Sequence, residues 1–167
     1  GPVLVEIPID VLFNKIDPAQ APIPDSILPL SAPAPSANRT EEAIAALLKA
    51  ERPAIICGGG MLYSKAAKEL REFAERSGIP VYSNSKGRGM IPTDHPLCGN
   101  AHTNIKVAEA AGVGTPDVAI MLGARFGMFT EPGMLGPGRI PADDCTIIQV
   151  DTSGPEIGRL RPAHIPV

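Results

Sequence analysis

The sequence predicts an α/β fold, and three observations support this. Apolar runs without alternation, such as residues 117–122, are typical of strands buried on both faces, as in parallel sheets covered by helices. Glycine-rich turns follow the apolar runs at 53–57 and 117–122. Segments with helical spacing lie between the strands, which predicts right-handed crossovers and a doubly wound, mostly parallel, Rossmann-like sheet with helices on both faces.

The first 37 residues are expected to lie outside this sheet. Residues 1–13 hold a short apolar run that stops at Pro8, which predicts a strand at the end of a preceding domain. Residues 14–37 are rich in proline, alanine and serine, a composition that favours extended chain. We therefore expect a linker at 14–37 and a central domain at 38–167.

The first half of the central domain is predicted as helix, strand, glycine turn and helix. Asn38 or Thr40 can cap the first helix, in which apolar residues recur at helical spacing. A glycine just after the second helix is a common helix stop. The predicted elements are a helix from the cap to about Glu51, a strand at 53–57, the turn Gly58-Gly59-Gly60 and a helix at 64–77 with Gly78 as its stop.

The second half continues this order, and no helix is expected to cover its last strand. We therefore expect the central domain to be truncated at its C-terminus. The predicted elements are a strand at 79–83, a basic glycine turn at 86–92, a loop at 94–99, a helix from Thr103 or Asn104 to about Gly112, the strand at 117–122, a mobile loop at 127–141, a strand at 145–150 and a turn at 156–159.

Composition argues against two classes of partner. The net charge is −3 and aromatic residues make up 4% of the chain, so no basic, base-stacking face for nucleic acid is expected. No run approaches the roughly 20 apolar residues that span a bilayer, and the first residues do not form a signal peptide, so we expect a cytoplasmic protein with no membrane partner. Cys57, Cys98 and Cys145 are an odd, widely spaced set, which favours reduced thiols.

The glycine turns at the carboxyl ends of the strands form the candidate ligand site. The triplet Gly58-Gly59-Gly60 can offer backbone N–H groups to a pyrophosphate, or it can simply let a helix pack on the strand. The turn at Gly123 lets the backbone approach a ligand closely. Arg88 and Arg125 each follow a strand at the same edge and can pair with phosphate, the alternatives being solvated arginines or an interdomain salt bridge.

No set of residues predicts a catalytic or metal site. His95, Cys98 and His102 lie close together in the sequence, but a zinc site needs a fourth ligand and there is no C-x-x-C partner. A Cys-His nucleophile pair would need an orienting acid and an oxyanion hole that nothing identifies. His95 is therefore interpreted as a residue that hydrogen-bonds within its loop.

Five motifs follow one another along the central domain. They are Gly58-Gly59-Gly60, Lys86-Gly87-Arg88-Gly89, Asp94-His95-Pro96-Leu97, Gly123-Ala124-Arg125-Phe126-Gly127, and Ile148-Gln149-Val150-Asp151 with Glu156-Ile157-Gly158-Arg159. In this order and spacing they resemble the central domain of the thiamine-diphosphate-dependent enzymes related to acetolactate synthase. The fourth motif is similar to benzaldehyde lyase in particular, and residues 1–11 resemble the last strand of the family's preceding pyrimidine-binding domain.

The resemblance implies a three-domain enzyme of which this chain is the middle part. In that family a glutamate of the first domain activates the thiazolium ring, and the third domain holds the metal and the diphosphate. Thiamine diphosphate and Mg²⁺ would thus be bound by the flanking pyrimidine- and diphosphate-binding domains of the same polypeptide. The enzyme would cleave or form a carbon–carbon bond next to a carbonyl carbon in 2-oxo acids or 2-hydroxy ketones, as a dimer or tetramer. This chain alone would not be catalytic.

The resemblance also implies ligands for the central domain itself. Acetolactate synthases hold FAD there, at positions that correspond to the glycine triplet, Arg125 and Asp151, and related acyl-CoA lyases bind an adenine nucleotide such as ADP. This chain departs from acetolactate synthases at Gly127-Met128-Phe129, where they have Asp-Asp-Arg. The predicted cofactor-binding residues are Gly58, Gly59, Gly60, Arg88, Gly123, Arg125 and Asp151.

Three other interpretations compete with cofactor binding in such an enzyme. The leading one is a structural domain that shapes the substrate channel and the subunit contacts. A second is a free-standing module that binds FAD or an adenine nucleotide, like that of electron-transfer flavoproteins. A sirtuin-like deacylase is a third, although its zinc cysteines and catalytic histidine motif are absent from the sequence.

Overall fold

The computed structural model of the chain describes residues 2–21, 33–101, 103–127, 130–131 and 138–167. It divides into two compact units, Gly1–Ala32 and Pro33–Val167. The assignment of the first residues to a preceding domain and a linker stays a prediction.

The described part of the first unit holds one turn of α-helix, α1 (Ile9–Leu12). The strand predicted at 1–8 is wrong, because residues 2–8 have no regular secondary structure. A strand needs a neighbour for its N–H and C=O groups, and no described residue forms a backbone hydrogen bond with residues 3–7. An apolar run alone is therefore not enough to make a strand here.

The predicted linker at 14–37 is described only in part, since residues 22–32 lie outside the described residues. Its first part includes a 3₁₀ turn at Pro18–Gln20, which Asp17 caps by accepting the backbone N–H of Ala19 at 3.0 Å. This part of the linker is therefore not uniformly extended.

Helix α2 (Ala37–Lys49) opens the second unit and confirms the first predicted helix, but not its cap. Ser36 occupies the N-cap position in place of Asn38 or Thr40. The Thr40 hydroxyl instead donates to the Ser36 carbonyl oxygen at 2.9 Å. Ala43 is buried against the sheet, as the helical spacing predicts.

The described residues of the second unit form a sheet of six parallel strands. The strands are β1 (Pro53–Cys57), β2 (Val81–Ser83), β3 (Cys98–Asn100), β4 (Val118–Leu122), β5 (Thr146–Val150) and β6 (Ile165–Pro166). Their spatial order is β3-β2-β1-β4-β5-β6, so the order reverses between β1 and β4. This is the order of the Rossmann fold, and it confirms the predicted fold class.

In the described part of the chain, three further α-helices lie between the strands, α3 (Gly59–Ser64), α4 (Ala67–Ser77) and α5 (Asn104–Ala110). The single helix predicted at 64–77 is thus preceded by a separate short helix, because Lys65 adopts a left-handed conformation with φ of 56°. Gly78, with φ of 71°, ends α4 as predicted. None of the helices that the structure describes has the length and apolar character needed to cross a bilayer.

Two short strands are additions to the predicted order. β3 lies in the predicted loop at 94–99 and continues beyond it, where it pairs with β2 so that Gly99 lies opposite Tyr82. A Cβ on Gly99 would come within 2.8 Å of the Tyr82 ring, so a small residue is required there. β6 pairs Ile165 with Ile148 of β5. Both strands depend on a neighbour rather than on an apolar pattern of their own.

The core lies on both faces of the sheet because successive strand residues point to opposite sides. Ile55 of β1 and Ile120 of β4 belong to the face that α2 and α4 cover. Ile56 and Met121, the next residues along these strands, belong to the face that α5 covers through Ile105. Helices on both faces are therefore confirmed.

The mobile loop predicted at 127–141 is described only in part, because residues 128–129 and 132–137 lie outside the described residues. Of its described residues, Thr130 and Ile140 are buried. The backbone N–H of Ile140 donates to the Thr130 carbonyl at 2.9 Å, so these parts of the loop are tied together.

Candidate functional site

A cavity of about 680 Å³ opens at the carboxyl ends of β1, β4 and β5. The turns that follow these three strands, together with the turn after β2, form its walls. It lies where the strand order reverses, which is the usual ligand position in open α/β sheets, and its volume is typical of small-molecule sites. We therefore take it as the candidate functional site.

Glycines pack backbone against backbone at the bottom of this cavity. The N–H of Gly58 donates to the Leu122 carbonyl at 3.0 Å, and the N–H of Gly60 donates to the Gly123 carbonyl at 2.9 Å. A Cβ on Gly60 would come within 2.6 Å of the Gly123 Cα, and Gly123 itself has φ of 53°. We call Gly58, Gly60 and Gly123 the glycine floor. The N–H groups of Gly58 and Gly60 are used in hydrogen bonds that join the ends of β1 and β4. This favours the interpretation that the triplet lets the helix pack on the strand over the one in which it offers N–H groups to a pyrophosphate.

The turn after β2 is anchored on the end of β1 and carries Lys86. The Asn84 N–H donates to the Cys57 carbonyl at 2.8 Å, and a Cβ on Gly87 would come within 2.7 Å of that carbonyl carbon. The stem of Lys86 passes over Gly59, since a Cβ on Gly59 would lie 3.3 Å from the Lys86 Cβ. The lysine therefore reaches the cavity because two glycines leave room for its turn and its stem.

Glu156 lies between two arginines at the mouth of the cavity. Its Oε1 is 3.5 Å from Nη1 of Arg125, and its Oε2 is 3.2 Å from Nε of Arg159. The second contact is an ion pair without hydrogen-bond alignment, so the shielded Oε2 accepts no hydrogen bond from the described residues. Buried Gln149 on β5 holds this loop, since its amide donates to the Glu156 carbonyl at 3.1 Å and accepts the Gly158 N–H at 2.9 Å.

The charges that line the cavity leave it with one net positive charge. The charged rim consists of Lys86, Arg125, Glu156 and Arg159. Asp151 also lines the cavity, and its Oδ1 accepts the backbone N–H of Ser153 at 2.9 Å. Three cations thus face two carboxylates, an arrangement that attracts anions.

Six of the seven predicted cofactor-binding residues line this cavity, and Arg88 does not. The six are Gly58, Gly59, Gly60, Gly123, Arg125 and Asp151. Arg88 lines a separate cavity of about 270 Å³ beside β2 and β3, with Thr93 and Asn104 among its neighbours. The predicted convergence of Arg88 with Arg125 in one site is therefore wrong. Lys86, two residues earlier in the same basic turn, takes that place.

Sequence reasoning missed every member of the charged rim except Arg125, and it also missed Tyr63 and Gln149. The missed members of the rim are Lys86, Glu156 and Arg159. Lys86 and Glu156 stand in motifs that the sequence analysis quotes, but neither motif shows which side chain enters the cavity. Gln149 could have been found from the sequence, because it is a polar residue inside the apolar run of β5. A buried polar side chain usually forms hydrogen bonds, so such a residue is expected to hold a neighbouring segment.

The surroundings of the cysteines and of His95 indicate structural roles for these residues. Burial raises the pKa of the Cys57 thiol to about 11 and that of the Cys145 thiol to about 12, so both are protonated at neutral pH, and none of the three cysteines is in a disulfide. His95 Nδ1 accepts the Leu97 N–H at 3.2 Å, which confirms its role in the loop. No group of three potential metal ligands occurs among the described residues.

The strand order of the six-stranded parallel sheet, with a cavity at the reversal, defines a Rossmann-type domain. Residues 40–167 match the family model for the central domain of thiamine pyrophosphate enzymes. The chain belongs to that family, which confirms the resemblance. By its description, the matched family is the central domain of enzymes that use thiamine pyrophosphate.

Individual relatives agree with this assignment. The chain is 33% identical to the acetolactate synthase large subunit of Corynebacterium glutamicum, in an alignment that covers all of this chain and 26% of that protein. It is 35% identical to the oxalyl-CoA decarboxylase of Escherichia coli K12, in an alignment that covers all of this chain and 28% of that protein. It thus spans about a quarter of the length of these relatives. The X-ray structure of a thiamin diphosphate-dependent enzyme from Mycobacterium smegmatis shares the fold, with a TM-score of 0.63 and 24% identity over 87% of this chain and 28% of that one.

Proposed function

We propose that the chain is the central, non-catalytic domain of a longer thiamine-diphosphate-dependent lyase or carboligase. The enzyme would act on 2-oxo acids or 2-hydroxy ketones, as the resemblance to acetolactate synthase and benzaldehyde lyase implies. The match of residues 40–167 to the family's central domain supports this. Thiamine diphosphate and Mg²⁺, held by the flanking domains, would supply the carbon–carbon chemistry. Assembly into a dimer or tetramer and a cytoplasmic location stay predictions.

The composition of the cavity supports a non-catalytic role. No histidine or cysteine lines it among the described residues. Its two carboxylates are already engaged, Glu156 by arginines and Asp151 by a backbone N–H. Nucleophilic catalysis commonly pairs a serine or cysteine with a histidine base, and no such pair occurs among the described residues of the lining. We expect the purified chain, given thiamine diphosphate and Mg²⁺, to turn over neither pyruvate nor benzoin, and turnover of either would contradict the proposal.

We further propose that the cavity holds the adenosine diphosphate moiety that FAD and ADP share. The observation that carries this is the position of a cavity of about 680 Å³, with one net positive charge, at the reversal of the strand order. Arg125 would contact the diphosphate and Asp151 a polar group of the ligand. Gly58, Gly59, Gly60 and Gly123 would allow close approach by their small size, while the N–H groups of Gly58 and Gly60 stay within the fold.

The test is retention of ligand by the purified chain. The protein is incubated with FAD or with ADP and desalted, and its absorbance spectrum, bound mass and melting temperature are recorded. Retained flavin would identify a FAD site, and retention of ADP alone would identify a nucleotide site. Retention of neither, with no change in melting temperature, would contradict nucleotide binding and favour a structural domain that shapes the substrate channel and subunit contacts.

A further inference from the structure

The three cations of the cavity differ in how their charge is compensated. Arg125 and Arg159 share Glu156 as their ion-pair partner. Lys86 has no carboxylate within 4.0 Å among the described residues. Its Nζ instead donates a hydrogen bond to the Tyr63 hydroxyl at 3.5 Å. The net positive charge of the cavity is therefore located mainly at Lys86.

The backbone of the turn that carries Lys86 is held against the end of β1, and the lysine side chain lies towards Tyr63. Gly87 fits against the carbonyl group of Cys57, which positions the turn, and the absence of a side chain on Gly59 makes room for the lysine stem. At the tip, Nζ lies 5.9 Å from the centroid of the Tyr63 ring, within the range of a cation–π contact.

Arg125 is less suited to be the main anion contact. Its charge is already compensated in part, because Nη1 lies 3.5 Å from Oε1 of Glu156, whereas Lys86 has no such partner among the described residues. An anion that approaches Arg125 also meets the negative charge of Glu156, which is held in position through Gln149. Arg125 would therefore contribute less binding than its place in the glycine turn suggests.

We propose that Lys86 is the principal diphosphate-binding residue of this cavity, with Glu156 attenuating Arg125. The inference deepens the proposed nucleotide site and rests on it. The ligand is a compound that carries a diphosphate group. Lys86 would recognise the charge of the diphosphate and would not contact the adenosine part of the ligand. Arg88, which lines the other cavity, would take no part.

Binding of inorganic pyrophosphate and of ADP to the full chain, measured by titration calorimetry at low salt, tests this. The variants are Lys86→Met, Lys86→Arg, Arg125→Met and Arg88→Met. Methionine keeps an unbranched stem over Gly59 and removes the charge. We expect Lys86→Met to weaken the binding of both ligands at least tenfold, and Lys86→Arg to retain most of the affinity. Arg125→Met should weaken binding by no more than about threefold, and Arg88→Met should bind both ligands as the wild type does.

Thermal unfolding of each variant separates lost binding from lost structure. Lys86→Met should melt within about 2 °C of the wild type, because it removes an exposed charge with no ion-pair partner in the described chain. If the wild type binds and Lys86→Met binds equally well, or Arg125→Met loses more affinity, the inference about Lys86 is overturned while the nucleotide site stands. If the wild type binds neither compound, both the inference and the nucleotide site are overturned.

Discussion

The glycine floor and the charged rim border the same cavity, yet they are held in different ways. Floor contacts run from backbone to backbone between β1 and β4, with N–H donors already used inside the fold. Rim contacts run between charged side chains, two exposed arginines and the partly buried Glu156, and a ligand can replace the carboxylate as the partner of an arginine. The comparison indicates that the glycines maintain the junction of the two strands, while the charges are available for binding.

Substitution in the glycine floor should have the largest effect, and it should fall on stability. Gly60→Ala places a Cβ 2.6 Å from the Gly123 Cα, a backbone atom that cannot move away cheaply. We expect the free energy of unfolding in urea to fall by about 3 kcal/mol, since the gain in helix propensity of about 1 kcal/mol does not offset such overpacking. Gly154→Ala is the matched control, because nothing lies within 4 Å of its Cβ. A change below about 0.5 kcal/mol for Gly60→Ala would show that the floor is not tightly packed.

Asp117 should behave like the floor although it is charged. Its carboxylate accepts the N–H groups of Glu51 and Arg52, both at 2.8 Å, and that of Val118 at 3.0 Å. Burial alone would raise the pKa of this carboxyl, but these hydrogen bonds outweigh burial and hold the pKa below its usual range. We expect Asp117→Ala to lower the free energy of unfolding by about 2 kcal/mol at neutral pH.

The same carboxylate sets a pH dependence. Because its pKa is depressed in the folded state, it contributes stability above the ordinary aspartate pKa of about 3.9 and loses that contribution as pH falls through the folded pKa. The difference between wild type and Asp117→Ala should therefore shrink in acid denaturation experiments below about pH 4. A difference that stays constant from neutral to acidic pH would rule out this linkage.

Substitution of Glu156, a member of the charged rim, should have a small effect, and the effect should be on ligand binding. Glu156→Gln removes a negative charge beside Arg125 and Arg159, and we expect the affinity for pyrophosphate to rise about threefold, as for other screened, partly exposed charges. Stability should change by less than about 0.5 kcal/mol, the scale of surface ion pairs. Weaker pyrophosphate binding by Glu156→Gln would mean that Glu156 orients the arginines for the ligand instead of competing with it.

Prediction from sequence succeeded where an element carries its own signal. β1 and β4 are uninterrupted apolar runs, and the structure has them almost at the predicted bounds. The apolar run after Gly1 has the same character, but without a pairing partner among the described residues it is no strand. β3 and β6 are the converse case, because pairing with β2 and β5 creates strands where the sequence shows no pattern.

The site was predictable to the level of turns, but not of side chains. Strand ends and glycines located the cavity, since parallel strands bring their carboxyl ends to one edge. The choice between Lys86 and Arg88 depends on the fit of Gly87 against Cys57, which turns the two cations towards different cavities. Such a contact joins residues far apart in the chain, and no local pattern reports it.

The most direct test of the division between floor and rim is a crystal structure of the protein with ADP. We expect diphosphate oxygens within hydrogen-bond distance of the Lys86 Nζ, while the N–H groups of Gly58 and Gly60 stay bonded to the carbonyls of Leu122 and Gly123. A diphosphate bound to the N–H groups of Gly58 or Gly60, with the turn at Gly123 displaced and Lys86 in solvent, would contradict the account.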